Sequence, residues 1–235
     1  ILLALALPGF AHAGQVAQAT SPDGRVVVQL DLNGEGRLAY RVLRDGKPVI
    51  DDSRLGFILR NDRQLLRNLQ MEKQSSRSFD DTWEQPWGER RFIRNHYNEL
   101  RADFVEKDRD RRRFAMVFRV FDDGVGFRYE VPKQPKLVEA QIVQELTEFA
   151  VVRPSTAWWI PAYQWNREEY LYNRTPLSQV GVAQTPITLR SDDGLHVTLH
   201  EAALVDYAGM NLAKGEGQVL HASLTPGSAA APVVR

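Results

Sequence analysis

From Thr20 onward the chain alternates short runs of β-branched and aromatic residues with polar positions, and turn signals separate the runs. Ser21-Pro22-Asp23-Gly24 makes a turn, and Arg25 to Leu32 (RVVVQLDL) follows as a strand. Asn33-Gly34-Glu35-Gly36 is a hairpin signal from which Leu38 to Leu43 returns. Arg44-Asp45-Gly46-Lys47-Pro48 turns again before Val49-Ile50, and Leu55 to Leu59 suits a short buried strand. Strand and turn recurring about every 8–12 residues is the rhythm of a sandwich or barrel.

The middle of the chain is less regular. Arg63 to Ser78 is polar, has no decisive period and reads as irregular, and Thr82 to Gly88 (TWEQPWG) reads as an aromatic loop. Arg94 to Phe104 alternates in its second half through Leu100, Ala102 and Phe104. The charge run Glu106 to Arg113 (EKDRDRRR) reads as a solvated hairpin tip ahead of the strand Phe114 to Phe121. Its acidic residues interrupt it, which argues against a nucleic-acid patch. Asp122 to Gly126 turns into Phe127 to Val131, and Gln141 to Phe149 suits a strand better than a short helix. Thr185 to Leu189, the Asp192-Asp193-Gly194 turn and Leu195 to Glu201 form a strand–turn–strand, and Val219 to Leu224 closes the pattern. No stretch keeps a helical period over three turns. The expectation is an all-β, antiparallel single domain over residues 20–225.

The two ends of the sequence read differently. Residues 1–13 (ILLALALPGFAHA) are an apolar run ending in Ala11-His12-Ala13, the core and cleavage site of a secretory signal whose start lies upstream. The run is shorter than the roughly 20 apolar residues a membrane span needs. The mature chain is therefore expected to begin near Gly14 or Gln15, outside the cytoplasm. Residues 226–235 are rich in Ala, Gly and Pro and read as the start of a linker toward something further.

The 235 residues carry 30 Lys and Arg against 30 Asp and Glu, so no overall field favours nucleic acid or an anionic membrane. Zero cysteines in an exported chain leave stability to the core alone, which suits a bacterial periplasm. They also exclude zinc–thiolate and iron–sulfur sites and cysteine nucleophiles. His196 and His200 lie four apart on a strand, too far along it to make a metal pair.

Trp158 to Ser178 (WWIPAYQWNREEYLYNRTPLS) stands apart, with three of the five tryptophans, three tyrosines, two adjacent carboxylates and two arginines. Rings stack on pyranose faces, and carboxylates and arginines hydrogen-bond sugar hydroxyls. Trp158, Trp159, Trp165 and Arg174 are thus candidate sugar contacts. An aromatic corner sealing the end of a sandwich fits the same composition. Glu168 and Glu169 are adjacent and cannot flank one glycosidic bond as acid and base in an extended segment. Either suits a hard cation such as calcium, and equally a pair with Arg167, Arg174 or solvent.

Several segments together resemble one family. These are Ser21 to Gly24, Arg94 to Leu100, Asp122 to Tyr129, Ala157 to Ala162, Glu169 to Leu177, Thr185-Pro186 and His200 to Tyr207. In this order they look like the N-terminal domain of glycoside hydrolase family 97, over about Thr20 to Leu224. The resemblance implies a large antiparallel β-sandwich of the galactose-mutarotase-like type. It also implies an exported bacterial exo-acting α-glucosidase or α-galactosidase acting on an α-linked oligosaccharide. The catalytic (β/α)8 barrel, holding the acid and base, would follow this domain and be its main partner. An active-site calcium would be held mainly by that barrel, joined by a glutamate from this domain. Glu169 matches that position best, with Glu168 the alternative because the doubled glutamate leaves the register open by one. By the same resemblance the domain alone is expected to be inactive; His200 to Tyr207 reads as a fold determinant, with Glu201 and Asp206 the next candidates if the domain offers more to the sugar site. Two other functions remain open. One is a free-standing carbohydrate-binding sandwich. The other is an aldose-epimerase-like enzyme, which needs a facing His and Glu that no spacing here identifies.

Overall fold

The computed structural model describes residues 14–164 and 170–225. In chain order the strands are β1 (Gly14–Thr20), β2 (Val26–Leu32), β3 (Leu38–Arg44), β4 (Lys47–Arg54), β5 (Phe57–Leu59) and β6 (Leu69–Glu84). They continue with β7 (Phe92–Glu106), β8 (Arg113–Val120), β9 (Val125–Glu130), β10 (Ile142–Glu145), β11 (Glu148–Val151) and β12 (Ser155–Trp159). The last are β13 (Asn173–Pro176), β14 (Val182–Gln184), β15 (Ile187–Ser191), β16 (His196–Leu199), β17 (Met210–Lys214) and β18 (Val219–Leu224). A 3-10 turn at Leu177–Gln179 is the one helical element among the described residues, and none of these forms a helix long and apolar enough to cross a membrane.

All pairings between named strands are antiparallel. One layer is an eight-stranded sheet in the order β1-β2-β3-β4-β11-β18-β17-β14. Two four-stranded sheets, β6-β7-β8-β9 and β13-β12-β15-β16, and the pair β10-β5 complete the fold. A single buried core joins these sheets, running from Val28, Leu30 and Tyr40 through Phe104, Met116 and Phe118 to Ala157, Ile187 and Leu212. Aromatic rings bridge the layers. Tyr40 meets Phe118 at 6.0 Å and Phe127 at 5.2 Å, and Phe127 meets Phe149 at 6.3 Å. The predicted all-β antiparallel sandwich is the observed fold.

Two glycines permit the layers to approach. Gly36 has φ +68°, and a Cβ there would stand 2.5 Å from the Leu69 amide nitrogen, where β6 begins. Gly56 has φ +138°, and its Cβ would lie 2.9 Å from the Leu65 carbonyl oxygen. Gly36 lets the β2–β3 turn touch the start of β6, and Gly56 sits where the chain leaves the eight-stranded sheet for β5.

The structure corrects the sequence reading in the middle of the chain. Much of the stretch expected to be irregular, and the first half of the expected aromatic loop, form the 16-residue strand β6. Its strand character was hidden because residues 72–78 and 80–84 are exposed on both faces, which removes the alternation that marks a half-buried strand. β7 likewise starts at Phe92, earlier than expected, and pairs with β6 along its whole length. Only Asn98 to Val105 of β7 also pairs with β8. Residues 79–84 and 92–97 therefore project as a two-stranded ribbon about 20 Å long. Gln141 to Phe149, expected as one strand, divides into β10 and β11, which belong to different sheets.

The charge run differs too. It does connect β7 to β8, but it is not fully solvated. Arg112 is completely buried, donating to Glu106 from Nε and Nη2 at 2.6 Å each and pairing with Asp62 at 2.9 Å. Its Nη1 also donates to the Arg63 carbonyl at 2.8 Å. A buried guanidinium needs this many acceptors, and the loop before β6 supplies them.

The antiparallel order fixes which loops share an end. β1 and β18 are five neighbours apart in the eight-stranded sheet and run in opposite senses, so Thr20 and Leu224 lie at opposite ends of the ladder. The Asn98 side chain donates to the Thr20 carbonyl, which places the ribbon's root at the Thr20 end. The other end, where β18 finishes, also receives the last residues of β12 and β16.

Candidate functional site

The candidate stretch is not a loop throughout. Its first two residues end β12, and Asn173 to Pro176 form β13 beside it. β12 alternates buried and half-buried positions, so the adjacent Trp158 and Trp159 point to opposite faces. Trp159 turns inward, is 9% exposed, and donates from its indole nitrogen to Thr175 Oγ1 at 3.0 Å. Trp158 turns outward and pairs across the strands with Arg174, whose guanidinium carbon lies 5.4 Å from the ring centroid. The structure thus joins Trp158 to Arg174 and separates both from Trp159. Trp165, Glu168 and Glu169 lie outside the described residues, as do the expected signal segment and the linker start.

The segment after β12 is fastened to the end where β18 finishes, the exit end. Ala162 donates to the Val182 carbonyl at 2.9 Å, and Gln184 donates to the Ile160 carbonyl at 2.8 Å. Tyr163 has φ +56°, and its hydroxyl lies 3.1 Å from the Ser223 carbonyl and 3.0 Å from Ser223 Oγ. The aromatic segment therefore leans on the last residues of β18. On the far side Leu177 is buried and pins the return.

A second segment meets the same end. Residues 200–209 cross from β16 to β17, and the Thr225 amide donates to the Gly209 carbonyl at 2.9 Å. Glu201 Oε2 accepts from the Met210 amide at 3.0 Å, so this candidate closes its own loop. Asp206 is exposed with φ +48°. Tyr207 donates to Glu145 Oε2 at 2.7 Å, and Thr147 donates to Glu145 Oε1 at 2.5 Å. Tyr129 continues the network to Thr147 at 2.9 Å and accepts from the Gly56 amide at 3.1 Å. Burial and the neighbouring Glu145 hold the hydroxyls of Tyr207 and Tyr129 above the ordinary tyrosine range, so both remain protonated. Glu145 is a buried carboxylate that the sequence reading did not single out, because nothing in QELTEF separates a buried glutamate from a solvated one.

His196 and His200 are both exposed. Among the described residues, no group of three or more His, Cys, Asp or Glu side chains could hold a metal ion. Calcium takes about six to eight oxygens.

The family model described as "Glycosyl-hydrolase 97 N-terminal" matches residues 19–230. The chain is 25% identical to a retaining alpha-galactosidase of Bacteroides thetaiotaomicron, over 84% of this chain and 30% of that protein. It is 31% identical to a probable retaining alpha-galactosidase of Streptomyces bingchenggensis, over 67% of this chain and 23% of that protein. Among solved structures it resembles a glycoside hydrolase family 97 enzyme of Pseudoalteromonas sp. strain K8, a variant of which is in complex with panose and which is also in complex with acarbose. There the TM-score is 0.86 at 41% identity, covering 89% of this chain and 32% of the enzyme. A beta-arabinopyranosidase shares the fold with a TM-score of 0.79 at 23% identity. The chain thus spans about a third or less of the length of these relatives. With the family match running over nearly all of the antiparallel sandwich, the chain belongs to the N-terminal family of glycosyl hydrolase 97.

Proposed function

We propose that this chain is the non-catalytic N-terminal sandwich of an exported, calcium-dependent, exo-acting α-glycosidase, either an α-glucosidase or an α-galactosidase. In this reading it braces a catalytic barrel and lends one glutamate, Glu169 or its neighbour Glu168, to a calcium ion held mainly by that barrel. The observation that supports the reading most is the contact of Tyr163 with Ser223, two residues before Thr225. Polypeptide continuing past residue 225 would start close to Tyr163, which precedes the two glutamates in the sequence. That segment is then half of a site, and its other half comes with the remaining length seen in the relatives. The two relatives that are a retaining and a probable retaining alpha-galactosidase support the substrate class. The apolar opening residues support export to the periplasm.

The test is hydrolysis by the full-length enzyme against the 14–225 fragment. The full-length protein should release galactose or glucose from an α-linked oligosaccharide, and the fragment should release none. A gene that stops soon after Arg235 would overturn the proposal. A free-standing carbohydrate-binding module is the second reading, and the outward-facing Trp158 favours it. Arg174 already occupies one face of that ring, however. Binding of maltose or a glucan by the fragment, lost in Trp158→Ala, would support this second reading instead.

A further inference from the structure

The loop 200–209 carries two aliphatic side chains in water while being tied down on both sides of them. Glu201 closes it onto the Met210 amide, and Tyr207 anchors it to the buried carboxylate of Glu145. Between these tethers Leu204 is 53% and Val205 75% exposed. Ordering a loop costs conformational entropy, and here the apex returns no buried apolar surface against that cost. Tyr163, Leu171 and Tyr172 are exposed at the same end, so Leu204 and Val205 belong to an apolar end face.

We propose that the 200–209 loop is a docking element, with Leu204 and Val205 covered by the catalytic part of the enzyme. The Tyr207–Glu145 hydrogen bond would hold the loop in its docking pose. The inference rests on the proposed function, since it takes the occupant to be this protein's own further polypeptide. Two observations favour that occupant. Thr225 donates to the carbonyl of Gly209, so the continuing chain leaves in contact with the end of this loop. The relatives are also about three times as long as the part this chain covers. Tyr207 is a positioning residue in this account, acting through the loop and touching no substrate.

Because the chain has no cysteine, single cysteines can report coverage in the full-length enzyme, once any in the remaining polypeptide are replaced. Maleimide labelling would be followed at Val205→Cys, at Leu171→Cys, and at Trp87→Cys on the ribbon at the opposite end. Docking predicts that Val205→Cys labels about tenfold or more slower than Trp87→Cys, since it reacts only on local opening. Equal rates would overturn the inference. If Leu171→Cys is protected while Val205→Cys is not, the docking role of this loop fails and the proposed function stands. If both label freely, the catalytic part does not sit on this end and both ideas fail. Adding Tyr207→Phe should raise the Val205→Cys rate severalfold and leave the Leu171→Cys rate unchanged. An unchanged Val205→Cys rate in that background would remove the anchoring role.

Discussion

The two aromatic segments, Thr82 to Gly88 and Trp158 to Ser178, look alike in the sequence and end up in opposite circumstances. On the ribbon, Trp83, Trp87 and Phe92 stand 48%, 83% and 58% exposed, supported by one neighbouring strand. At the exit end, Trp159 enters the core and Trp158 is covered by Arg174. What separates the two is the number of neighbours. β12 lies between β13 and β15 and can bury one face, whereas β6 is an edge strand that outruns its layer. Aromatic content shows where large side chains are, and sheet position decides what they do.

The largest effect that sharpens this contrast is at Trp159. Replacing it with Ala should cost about 3–5 kcal/mol, because a cavity and an unpartnered Thr175 hydroxyl replace a buried indole. Denaturant unfolding of the folded protein measures it, and a loss under about 1 kcal/mol would mean that Trp159 is not core. Arg112→Ala, also toward the exit end, should cost about 3–5 kcal/mol by stranding Glu106 in a buried site. The double replacement Arg112→Met with Glu106→Leu should recover most of that loss.

The ribbon's root offers a pH-dependent test. Glu99 accepts from Arg77 at 2.6 Å and Arg119 at 2.8 Å, in the last rows before the ribbon leaves β8. These hydrogen bonds, Arg77 first, lower its pKa from 4.5 to about 2. A carboxylate with a depressed folded-state pKa contributes stability above its unfolded value, and the contribution fades as pH falls through the folded value. Glu99→Gln should therefore destabilise by about 1.5–3 kcal/mol at neutral pH. The gap to the unmodified protein should narrow from about pH 4.5 downward and nearly close by about pH 2. A pH-independent gap would contradict the ion pairing. Smallest of all, Trp87→Ala should change stability by no more than about 0.5 kcal/mol, since its ring is already in water.

Much of the fold was legible because most strands bury one face and so alternate. The hairpins at Ser21 to Gly24 and Asn33 to Gly36 announced themselves through turn residues whose geometry is local. β6 was not legible, since a strand wet on both faces carries no period. The buried state of Arg112 was also hidden, because its partner Asp62 and the carbonyl of Arg63 come from a loop nearly 50 residues away. For the candidate site, residue types and their neighbourhood could be read, and the pairing of Trp158 with Arg174 follows from a register that only folding sets. Glu145 gave no signal, because its hydrogen bond to the nearby Thr147 becomes part of a buried site only when Tyr207 arrives from 62 residues away.

In the proposed function the exit end holds half of a site, and a following domain holds the other half. Calcium titration of activity in the full-length enzyme tests it most directly, comparing the unmodified protein with Glu169→Gln and Glu168→Gln. One of the two, Glu169→Gln first, should lower activity and raise the half-activating calcium concentration roughly tenfold or more, as expected when a charged oxygen ligand is lost. Unchanged calcium dependence in both variants would contradict it.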